Sequence, residues 1–153
     1  MRRNGVSDPS STEVIADRNI RASRLKNHSA LVVEKEAALQ QAMLISLIGV
    51  GMDVKVAGSS EDAARILDHY SPDVLIVDFD YPEGHNARLI EIYRERLGRS
   101  DQPVIVTTMQ RLAENWRRMC EPISVLYKPF DIRLLIKMLT SKLAEEVDRG
   151  DGE

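Results

Sequence analysis

A chain of 153 residues, 43% hydrophobic and 29% charged, is long enough to bury one sizeable core and suits a single globular domain with short extensions. No apolar run approaches the roughly eighteen residues of a membrane span, and the N-terminus lacks a signal-peptide apolar core, so a cytoplasmic protein away from the membrane is expected. One cysteine, Cys120, excludes an internal disulfide framework and, set among apolar helix residues, reads as a packing side chain in a reducing compartment.

Charge is distributed unevenly along the chain. Residues 1–29 hold six basic side chains against three acids, which leaves −6 on the remainder of a chain whose net charge is −3. The basic residues alternate with acids and lack aromatics, so residues 1–28 read as a solvated flexible arm, and no nucleic-acid partner is expected. A weak apolar pattern over 12–25 allows a short helix there.

From residue 30 onward, short apolar runs alternate with helical patterns. "ALVV" (30–33) predicts a buried strand, and "AALQQAMLISLIG" (37–49) a helix ending at Gly49 and Gly51. "DVKVAG" (53–58) predicts a second strand; Ser59 with Asp62 then opens a helix reaching about Tyr70. "DVLIV" (73–77) is a fully apolar strand, followed by a helix near 87–97, the strand "PVIVTT" (103–108) and a helix over about 112–120. The strand "ISVLY" (123–127) precedes a long helix from Asp131 to about Val147. The domain thus spans 29–147, with 148–153 a disordered polar tail.

Five β–α units with uniformly apolar strands predict a parallel sheet covered by helices on both faces. In such sheets the chemistry collects beyond the carboxyl ends of the strands. Those ends carry Glu34-Lys35-Glu36, Asp78, Thr107-Thr108 and Lys128-Pro129, so carboxylates, a hydroxyl and an ammonium are expected to converge on one rim.

The segments "ALVVEKE", "DVLIVDFDYPEG", "PVIVTTM" and "VLYKPF", in this order and spacing, resemble the receiver domain of two-component response regulators over about residues 30–145. The resemblance implies an α/β fold, the flavodoxin-like doubly wound (βα)5 sheet of order 2-1-3-4-5. It makes Asp78 the position that accepts a phosphoryl group from a histidine kinase, Lys128 the lysine that neutralises it, and Thr108 the hydroxyl that turns toward it. It also implies a cis Lys128–Pro129 bond.

This sequence departs from the family at places that bear on the chemistry. Receivers resemble one another in two adjacent aspartates after the first strand, which hold Mg²⁺; here those positions are Glu34 and Lys35. Lysine offers magnesium no oxygen ligand. The acidic pocket then holds Glu34, Lys35 and Asp80, and Glu34 with Asp78 is balanced by Lys35 with Lys128 without any metal. The expectation is that no cofactor binds and that the Lys35 ammonium lies within reach of Asp78 or Glu34. Glu36 could restore a metal ligand only by a register shift. Met109 replaces a small residue and would crowd a phosphoryl donor; Val125 replaces the switch aromatic, with Tyr127 on the same strand face. Asn86 stands where the family has a glycine, tolerable because asparagine accepts left-handed backbone angles.

The reading that results is an atypical, stand-alone receiver, not an enzyme, that acts in signal transduction as a protein-interaction module. The alternative is a conventional receiver phosphorylated on Asp78 by a histidine kinase, with Mg²⁺ held by Glu34, Asp78 and Asp80. A flavin or phosphate-binding enzyme on the same fold would need a glycine-rich loop where Glu34-Lys35-Glu36 stands, and His28, His69 and His85 lack zinc-ligand spacing. Expected partners are a histidine kinase or downstream target. A homodimer through the fourth helix, fifth strand and fifth helix, near Trp116, Val125, Tyr127, Leu134 and Met138, is also expected.

Overall fold

A computed structural model describes residues 25–79 and 85–150. In chain order they form β1 (Ser29–Val33), α1 (Ala37–Gly49), β2 (Asp53–Ala57), α2 (Ser60–Leu67), β3 (Val74–Asp78), α3 (His85–Leu97), β4 (Val104–Thr108), α4 (Glu114–Cys120), β5 (Ser124–Tyr127) and α5 (Ile132–Gly150). The strands make one parallel sheet of order β2-β1-β3-β4-β5, the order expected. No described helix is long and apolar enough to cross a membrane.

Burial explains why the inner strands read as unbroken apolar runs. Every residue of β3 and β4 is buried, because helices cover both faces, whereas the edge strand β2 alternates exposed and half-buried positions. On one face Leu31, Val33, Leu75 and Val77 meet Ala63 and Leu67 of α2, Leu89 and Tyr93 of α3, and Cys120 of α4. On the other, Ala30, Val32, Val74 and Ile76 meet Met43 and Leu47 of α1 and Leu135, Leu139 and Leu143 of α5. Cys120 packs as expected, and burial pushes its thiol pKa up.

Local signals set the helix ends. The Ser59 hydroxyl accepts from the Asp62 N–H at 3.1 Å and caps α2. That helix stops at Leu67, short of Tyr70, because the Asp68 and His69 N–H groups turn back to the Arg65 and Ile66 carbonyls, each at 3.1 Å.

Both domain boundaries differ from those read in the sequence. Leu25 is fully buried beside Met43, Leu47 and Met52, and the Asn27 N–H donates to the Gly51 carbonyl at 3.2 Å. Burying a leucine stabilises by about 1.5–3 kcal/mol, so residues 25–28 belong to the domain and not to the arm. Residues 1–24 lie outside the described residues. At the other end the α5 backbone runs to Gly150, since nothing before that glycine breaks a helix, and only 151–153 fall outside the description.

A buried arginine, Arg94 of α3, fixes how α4 leads into β5. Its guanidinium donates to the Cys120 carbonyl at 2.6 Å, to Glu121 at 3.3 Å, to Gln102 at 3.4 Å and to Pro122. Burial lowers its pKa from the ordinary arginine value. The charge has the carbonyls at the end of α4 as partners, and these are themselves held by it. The Lys128–Pro129 bond is cis, as expected, and so is Glu121–Pro122.

Candidate functional site

Strand register brings the separated motifs to one rim. β1 runs into Glu34, β3 ends at Asp78 beside Thr107, and Thr108 of β4 lies beside Tyr127, the residue before Lys128. The Lys128 N–H donates to the Thr108 carbonyl at 2.8 Å, which fixes where its side chain starts. Its Nζ then reaches both acids, 3.1 Å from Glu34 Oε2 and 3.2 Å from Asp78 Oδ1. Glu34 and Asp78 are 2% and 3% exposed, so this ammonium bridges two carboxylates nearly excluded from water.

Glu34 is anchored on every side. Its N–H donates to the Ala57 carbonyl at 3.0 Å, and its own carbonyl accepts from Gln40 Nε2 at 2.9 Å. Its Oε1 accepts from the Glu36 N–H at 3.1 Å, leaving Oε2 to Lys128. Burial raises the Glu34 pKa above the ordinary carboxylate value, against the pull of the Glu36 N–H and Lys128. Burial also works against the Lys128 charge, but its hydrogen bond to Glu34 and the nearby Asp78 outweigh it, so the Lys128 pKa is raised.

The other candidate residues divide. Lys35 is exposed and lines a cleft of about 310 Å³ with Glu34, Asp78, Asn86 and residues Gly58 to Glu61, where the chain enters α2. The Lys128 ammonium is placed against both buried acids, and Lys35 lines the cleft on which those acids open. Thr108 is buried, and its hydroxyl closes a turn with Gln110, donating to the Gln110 carbonyl and accepting from the Gln110 N–H, both at 3.1 Å. Met109, which follows Thr108 at the end of β4, is 73% exposed. Val125 is half-buried and Tyr127 exposed. Asp80 and the Trp116 side chain lie outside the described residues.

One contact was missed in the sequence. The Asn86 side-chain amide donates to the Asp78 carbonyl, tying the first turn of α3 to the end of β3. Asn86 is helical, so its use is this hydrogen bond and not a left-handed backbone. Its place just after the strand-end acid was the available signal.

No protein-family model matches the sequence. Fold and rim together define the class: the chain has the fold of a response-regulator receiver domain. It is 32% identical over 107 residues to the virulence transcriptional regulatory protein PhoP of Salmonella typhimurium, a match covering 67% of this chain and 46% of that protein. The chain therefore spans about half the length of the curated relatives it matches. A CheY-like receiver domain protein from Methanospirillum hungatei superposes with a TM-score of 0.70 at 18% identity, covering 81% of this chain and 99% of that one. The receiver domain of a Pseudomonas aeruginosa sensor histidine kinase, with magnesium coordinated in its active-site cleft, gives 0.64 at 20% identity, covering 77% and 98%.

Proposed function

We propose that this chain is a signalling receiver whose pocket is neutralised by its own lysines, and that it acts by docking on a protein partner without Mg²⁺-dependent phosphorylation of Asp78. One observation carries the reading: Lys128 bridges Glu34 and Asp78 while Lys35 occupies the position next to Glu34. At an effective dielectric near 20 each 3.1–3.2 Å contact supplies on the order of 5 kcal/mol before desolvation. Desolvation takes back much of this, but less than an unpartnered buried carboxylate would cost.

The residues present do not fit magnesium. The ion wants oxygen ligands in near-ideal octahedral array. Here Glu34 spends one oxygen on the Glu36 N–H and the other on Lys128, and the neighbouring side chain is an ammonium. The conventional phosphoacceptor reading has its own support in the placing of Asp78 beside Lys128 on the rim that also carries Thr108. The two separate cleanly. Incubation with acetyl phosphate and Mg²⁺, followed by intact-mass measurement, should leave the protein unmodified. Stoichiometric, Mg²⁺-dependent gain of a phosphoryl group, lost in Asp78→Asn, would overturn the metal-free reading.

A further inference from the structure

Among the described residues, α4 is held to the domain at one end. Its seven residues are too few for a stable helix on their own. Ala113 opens it without a side-chain cap, unlike Ser59 on α2. Of its described side chains, Glu114, Asn115, Arg117 and Arg118 are exposed, and Cys120, the last residue, is the buried one. The Arg118–Glu114 pair lies within the helix and ties it to no other element. Among the described residues, every hydrogen bond that reaches segment 113–122 from outside it comes from Arg94 of α3.

We infer that Arg94 is a latch. When its guanidinium lets go of the Cys120, Glu121 and Pro122 carbonyls, α4 opens as a unit over an intact sheet and the Cys120 thiol leaves the core. The planar fork suits this work. Nη1 serves two successive carbonyls, Cys120 at 2.6 Å and Glu121 at 3.3 Å, while Nη2 takes Pro122 and Nε donates to Gln102, just before β4, at 3.4 Å. The α3 end of the latch is fixed. Tyr93, beside Arg94, is fully buried, and its hydroxyl donates to the Pro72 carbonyl at 3.1 Å, so α4 is the part that moves. The acceptors are neutral carbonyls, and a guanidinium that leaves them regains water, which offsets part of the cost of opening.

Cys120 is the one cysteine of the chain, so a thiol reagent reads this opening at a single site. Labelling of the full chain with dithiobis(nitrobenzoate), followed at urea concentrations below the unfolding midpoint, should proceed at a rate nearly independent of urea, because opening α4 exposes little surface. Arg94→Lys keeps the charge without the fork, and Arg94→Met removes both. Each should label at least about tenfold faster than the parent without urea, since the carbonyls of two buried residues, Gln102 and Cys120, lose their donor. That gain should exceed what the loss of global stability, measured in the same urea series, allows. A parent whose labelling rises with urea as steeply as global unfolding overturns the proposal. So do Arg94 variants that label no faster than the parent, or faster only in proportion to their lost global stability. If Arg94→Met does not fold, Arg94→Lys and the urea dependence of the parent decide by the same outcomes.

Discussion

The rim of the sheet and the α4–β5–α5 face both carry opposed charges, and they hold them in opposite ways. At the rim, two acids and one lysine are nearly cut off from water, and Lys128 serves both acids. On the outer face the pairs are local and wet: Arg118 meets Glu114 one helical turn away at 2.7 Å, with side chains 74% and 79% exposed. Water weakens the second kind of pair and its absence strengthens the first. The outer face can therefore change its charges at little structural cost, whereas the rim cannot.

The sharpest way to break this contrast is Lys128→Met. It leaves Glu34 and Asp78 buried without their shared cation and should cost about 3–5 kcal/mol in urea unfolding at neutral pH. The pH dependence carries the sign. Glu34 has a raised pKa in the folded state, so its contribution to stability is present below the unfolded value near 4.5 and is lost as pH rises through the folded one. Without Lys128 that loss is larger, so the variant's deficit should shrink as the pH falls toward 4.5. Adding Glu34→Gln should recover part of it at neutral pH. The raised pKa of Lys128 makes its contribution in the parent fully present below the unfolded value near 10.5, and it is lost as pH rises further. A deficit independent of pH would mean that Lys128 acts by packing alone.

Arg118→Ala is the contrasting case. The pair is an exposed i,i+4 contact, so stability should change by no more than about 0.5 kcal/mol in the same assay. A loss comparable to that of Lys128→Met would erase the distinction between the two regions.

How legible each part was follows from how local its cause is. A covered parallel sheet and the convergence of Glu34, Asp78, Thr108 and Lys128 were readable from unbroken apolar runs such as Val74–Val77, whereas the order of the strands came from the resemblance. The roles of those residues came from the resemblance and not from spacing. Arg94 was not legible: on a helix full of charges it reads as solvent-facing, and only the fold brings the Cys120 to Pro122 carbonyls around it. Leu25 stands between Arg24 and Lys26 and looks like part of a charged arm until Gly51 and Met52 come beside it. The turn of the Thr108 hydroxyl toward Gln110 depends on loop geometry, which residue type does not dictate. The sequence likewise showed Lys35 where a metal ligand would stand, but not that Lys128 is the cation bridging both acids.

The proposed function requires that this pocket take up no magnesium. Isothermal titration of Mg²⁺ into the parent protein and into Lys35→Asp tests it directly, with the unfolding midpoint of each followed in the same buffers. The parent should give no saturable heat and no Mg²⁺-dependent shift in its midpoint. Lys35→Asp should bind the ion and be stabilised by it, since one substitution removes an ammonium and adds a carboxylate beside Glu34 and Asp78. Saturable binding of magnesium by the parent, as tight as that of the variant, would contradict the account.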